Sequence, residues 1–90
     1  MPILIKTNNT RESIRNVNSL NDASKILNCD AEPFYDYDGN LIAYIDSDSR
    51  YSDRPVNTPI MEYIAKKMNR KTSSLHIIRG DAIVVVRPVL

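Results

Sequence analysis

The sequence predicts an α+β fold: one domain over residues 1–90, with a mainly antiparallel sheet of about five strands and two helices packed chiefly on one face. Three observations carry this expectation. Two β-rich segment pairs close on the turn-forming dipeptides Asn8-Asn9 and Asp38-Gly39. Two stretches repeat apolar residues at helical spacing behind a polar cap. An unbroken β-branched run, Ile83-Val84-Val85-Val86, follows a turn at Arg79-Gly80-Asp81.

The elements follow in order. Ile3 to Thr7 is β-rich, Asn8-Asn9 supplies a pair able to adopt positive φ, and Glu12 to Val17 is a short returning strand. Ser19 with Asp22 three residues on is a capping box in which Asp replaces the usual Glu. Leu20, Ala23, Ile26 and Leu27 then mark a helix over Leu20 to Asn28. Ala31 to Tyr37 and Leu41 to Ile45 form a second hairpin around Asp38-Gly39. From Asp46 to Pro55 no aliphatic residue occurs, which predicts a solvated loop. Thr58 places a capping hydroxyl before Pro59, and Ile60, Met61, Ile64, Ala65 and Met68 make one apolar stripe, a helix over Pro59 to Asn69. Ala82 to Val86 lacks alternation, so it predicts a central strand shielded on both faces.

Composition narrows the function. Twelve basic against eleven acidic residues give a net charge of +1, which disfavours nonspecific nucleic-acid binding. The longest apolar run is far shorter than the roughly 20 residues of a membrane span, and no basic n-region precedes one. Cys29 is the single cysteine, which excludes an internal disulfide and fits a reducing cytoplasm. Stability must come from packing.

Catalytic and metal signatures are weak. Asp36-Tyr37-Asp38-Gly39-Asn40 begins like a calcium loop, but Leu41 and Ser47 stand where such a loop needs Gly and Glu. Asp46, Asp48 and Asp53 read better as solvated loop charges than as cation ligands. His76 is the only histidine, and nothing brings it to Cys29 with an orienting third group. With only Gly39 and Gly80 in the chain, neither a nucleophile elbow nor a glycine-rich phosphate cradle is possible. No enzyme, metal site or cofactor is expected. Lys66, Lys67, Arg70 and Lys71 complement the negative end of the second helix, or else form a small basic patch for a phosphate or an acidic partner.

Several short motifs recur together: the helix opening on Ser19-Leu20-Asn21-Asp22, the step Pro55-Val56-Asn57 before a helix, and the closing Gly80-Asp81-Ala82-Ile83-Val84-Val85. On these the chain resembles a group of small uncharacterised α+β domains found in phages and mobile elements. The stretch Asp46 to Asp53 is longer than is usual in that group before the Pro-x-Asn step. The resemblance implies a phage-like context, with the host cytoplasm as location, and no established activity.

The most informative segment is 51–58, where a polar loop meets a helix N-terminus whose free backbone amides favour an anion. Arg54 can supply bidentate phosphate contacts, Tyr51 can stack on a base, and Asn57 can read a polar edge beside Thr58. The plainer reading, which the residues favour, is that Asn57 and Thr58 cap the helix while Arg54 pairs with Asp53 or another surface carboxylate. The expected function is a non-enzymatic, phage-type binding protein that neutralises a host activity by sequestering a nucleotide-like small molecule at a homo-oligomer interface. The alternative is a direct inhibitor that binds a host protein. Tyr51, Arg54, Asn57 and Thr58 are the candidate ligand-binding residues.

Overall fold

In the computed structural model, residues 2–49, 53–72, 75 and 77–85 are described. They form five strands and two helices: β1 (Pro2–Ile5), β2 (Arg11–Ser13), α1 (Leu20–Leu27), β3 (Ala31–Tyr35), β4 (Leu41–Asp46), α2 (Thr58–Lys67) and β5 (Ala82–Val85). The strands make one sheet in the order β2-β1-β5-β4-β3, antiparallel throughout, which is the predicted α+β class. No helix among the described residues is long and apolar enough to cross a membrane.

Local chemistry sets each element. At the first turn Asn9 takes φ +67°, and the Asn8 side chain accepts a hydrogen bond from the Thr10 amide. Ser19 caps α1 by accepting from the Asp22 amide, while the Asp22 carboxylate accepts from Asn18 rather than from Ser19 itself. Asn28 ends that helix in the left-handed conformation. In the second hairpin the Asp36 carboxylate accepts from the amides of Asp38 and Asn40, and Gly39 adopts φ +82°. These donors hold the Asp36 carboxyl below the ordinary carboxylate range, with the Asn40 amide the largest cause.

The helices do not share a face. Side chains alternate along a strand, and here Ile3, Ile5, Ala82 and Val84 pack with Ile60 and Ile64 of α2. Leu4 and Ile83 pack instead with Ala23 and Leu27 of α1. The expectation of two helices chiefly on one face is therefore corrected: each helix covers its own side of the sheet. This explains why β5 has no alternation. Ala82, Ile83 and Val84 are all buried, with β1 and β4 on either side. Val85 is half-buried at the margin, and Val86 lies outside the described residues.

The outer edges differ. At β3 the Asp30 carbonyl accepts from the Ser47 amide, so the ladder's alternation turns the backbone groups of Ala31 and Pro33 away from β4. Proline has no donor, and the Ala31 amide is taken by the Ser24 hydroxyl of α1. At β2 the Ile14 amide donates to the Pro2 carbonyl, so Arg11 and Ser13 direct theirs outward.

Candidate functional site

The entrance to α2 is fastened to the segment that leads into β5. Val56 bridges Arg79, the Gly80 amide donates to the Pro55 carbonyl at 2.9 Å, and the Asn57 amide donates to the Ile78 carbonyl at 2.8 Å. These bonds fix the backbone at the helix entrance, and the described members of the predicted site, Arg54, Asn57 and Thr58, take different directions from it.

Asn57 is the N-cap of α2, with its side-chain oxygen accepting from the Ile60 amide at 3.1 Å. Its side-chain nitrogen donates to the carbonyls of Ile5 at 3.0 Å and Gly80 at 2.9 Å. The residue is 0% exposed, so its amide ties a helix, a strand and a turn together and has no polar edge left for a ligand. Thr58 is the first helical residue rather than the cap, and it is exposed.

Arg54 turns toward the other helix. Its guanidinium donates to the carbonyls of Leu27 and Asn28, 3.4 and 3.0 Å away, at the C-terminal end of α1. Those carbonyls lie at the end of a helix that has no further turn to satisfy them. The Arg54 carbonyl in turn accepts from the Arg79 guanidinium at 3.1 Å. Neither of the two roles foreseen for Arg54, a phosphate clamp or a surface ion pair, describes these bonds. Tyr51 lies outside the described residues, as does His76.

Near Arg54, Cys29 is partly buried. Burial pushes its thiol up, the Asp46 carboxylate adds to that, and Arg54 opposes it. Asp46 accepts from the amide of Asp48, which makes their loop a self-capped turn. Among the described residues no three His, Cys, Asp or Glu side chains gather as metal ligands would.

A different place does gather charge. Between the β1–β2 hairpin and the exposed face of α2 lies an open groove of about 640 Å³, lined by Arg11, Glu62, Tyr63, Lys66 and Lys67. Arg11 reaches it because it pairs with Ile5, whose side chain faces α2. Tyr63 packs against the core cluster, so the wall it provides is anchored. Two shallower depressions continue along α2. One of about 400 Å³ is bordered by Thr7, Asn8, Asn9, Thr58 and Glu62. The other, of about 290 Å³, is bordered by Val56, Thr58, Met61, Glu62 and Thr72. Of the predicted site residues that are described, Arg54, Asn57 and Thr58, only Thr58 borders these two depressions, and none of the three borders the larger groove.

Lys66 and Lys67 were legible as a basic cluster, and Tyr63 and Arg11 were not. Tyr63 sits beside the apolar stripe and reads as core, while Arg11 joins through strand register, which no local pattern encodes. No protein-family model matches the chain, and no curated protein or solved structure matches it.

Proposed function

We propose that the chain is a non-enzymatic small binding protein that sequesters a phosphate-bearing, nucleotide-like molecule, and that its site is the groove between α2 and the first hairpin. The observation that carries this reading is the convergence of Arg11, Lys66 and Lys67 beside Tyr63. The negative pole of α2 accounts for lysines in its last turn. It does not account for Arg11, which comes from another element and adds a third cation to the same groove. A volume of about 640 Å³ falls within the range of small-molecule sites. In the phage context that the resemblance implies, holding such a molecule neutralises a host activity.

Titration calorimetry with pyrophosphate and ADP tests this. Arg11→Ala and Lys66→Ala should each weaken binding by about tenfold or more, the worth of a charge-assisted hydrogen bond, with melting unchanged. Arg54→Ala should do the opposite, lowering stability by about 1–2 kcal/mol through its lost helix-end hydrogen bonds while binding is kept. Absence of binding by both pyrophosphate and ADP, or equal binding by all variants, removes the groove as the site.

The second reading, direct binding of a host protein, is favoured by the exposure of Tyr35 and Tyr37, since aromatic residues are enriched at protein interfaces. Tyr37→Ala separates the two. It should abolish capture of a protein partner and leave pyrophosphate binding untouched.

A further inference from the structure

Thr58, Glu62 and Lys66 recur every four residues, so they form a line along one face of α2. Glu62 is the only one of these residues to border all three depressions. On one side of it lie the cations Arg11, Lys66 and Lys67. On the other lie uncharged hydroxyl and amide side chains, those of Thr7, Asn8, Asn9 and Thr58. From Thr58 to Lys66 the helix rises about 12 Å, roughly the length of an extended nucleotide.

A carboxylate in the middle of a site for anions is unfavourable toward a bare phosphate or a polyanion, because it cancels part of the attraction. It becomes favourable when the ligand carries hydroxyl groups next to its phosphates, since an ionised carboxylate only accepts hydrogen bonds and has two oxygens to do so. Vicinal hydroxyls match that need. The neutral end then offers donors and acceptors to a polar ring edge.

Resting on the groove being the binding site, we infer that Glu62 makes it a ribonucleotide site. The phosphates sit at Arg11, Lys66 and Lys67, the ribose hydroxyls at Glu62, and the base toward Thr58. Glu62 selects for ribose and against polyanions lacking it.

Calorimetry with three probes tests this: ADP, 2′,3′-dideoxy-ADP and pyrophosphate, each against wild type, Glu62→Gln and Lys66→Ala. Wild type should bind ADP about tenfold to a hundredfold more tightly than the dideoxy analogue, the worth of hydrogen bonds to a charged group. In Glu62→Gln that preference should collapse, and pyrophosphate should bind at least as tightly as to wild type. If Glu62→Gln tightens all three probes equally, or wild type does not distinguish ADP from its dideoxy form, the assignment of Glu62 is wrong. The groove itself then still stands, provided pyrophosphate binds and Lys66→Ala weakens it. If wild type binds none of the probes, both the groove and the role of Glu62 fall.

Discussion

Arg54 lies across Gly80 so closely that a Cβ added to the glycine would stand 3.0 Å from Arg54 Cδ. Gly80 also has φ +81°, a conformation that L-residues rarely take. Gly39 shares the conformation, at φ +82°, with nothing near its missing Cβ. Gly39→Ala should therefore cost only the backbone strain, about 1–2 kcal/mol. Gly80→Ala should cost more, and the excess should shrink in an Arg54→Ala background. Urea unfolding of the single and double variants measures it, and equal costs at the two glycines would deny the contact any weight.

Asn57→Ala should be among the most damaging polar substitutions in the chain. It removes a cap and leaves the carbonyls of Ile5 and Gly80 without their donor in a fully buried place. The expected loss is about 2–4 kcal/mol. Asn57→Asp should not rescue it, because a carboxylate would face two carbonyl oxygens. Thermal melts decide this: a shift of only a degree or two would show that water takes over these bonds.

Self-association through the sheet should be limited at β3 by Pro33 and by the Ser24 hydroxyl on the Ala31 amide. Pro33→Thr restores an outward N–H in a strand-favouring residue and should raise association with concentration, read by light scattering. Unchanged scattering would mean that the edge is closed by other means. The β2 edge, with Arg11 and Ser13 directed outward, is the route left for a sheet-mediated homo-oligomer.

Acid should reach the second hairpin through Asp36. Its folded carboxyl is held below the ordinary range, so its contribution to stability is present above about pH 4, the unfolded value, and is lost as pH falls through the folded value. Wild type should therefore exceed Asp36→Ala in stability at neutral pH, with the gap narrowing in acid. A gap independent of pH would assign the effect to the turn's shape alone.

Some of this was legible in the chain and some was not, for physical reasons. Asp38-Gly39 announced its turn because that bend needs positive φ, which Gly39 supplies. The unalternating Ala82, Ile83 and Val84 announced a doubly covered strand, and Ile60, Ile64 and Ala65 announced the buried stripe of α2. The same reasoning could have been applied to Ile3, Leu4 and Ile5, whose apolar run likewise faces both ways. Which side each helix takes depends on how the chain crosses the sheet, and no residue pattern states that. Leu20 follows the helical spacing of Ala23 and Leu27 yet, as the first residue of α1, is 45% exposed, so spacing alone did not place it in the core.

The candidate site was harder to read for a related reason. Arg54, Asn57 and Thr58 are close in sequence, and a helix entrance spreads neighbours around its axis: Arg54 to α1, Asn57 inward, Thr58 outward. Arg11 and Lys66 are distant in sequence and meet only through the ladder between β1 and β2. Capping geometry also decided between Asn57 and Thr58, since the proline sits at the second helical position rather than the first.

The central place of β5 governs how the chain acquires its shape. Each hairpin can form from nearby residues, but β1 and β4 share no edge until Ala82–Val85 has slid between them. An isolated hairpin is marginal in water, so neither half is expected to persist alone. Assembly is then governed by a late, long-range insertion, which slows folding relative to helical domains of similar size. A growing chain that has passed Lys67 without reaching Ala82 has the inner edges of β1 and β4 still without a partner, and that interval is when it is most open to aggregation.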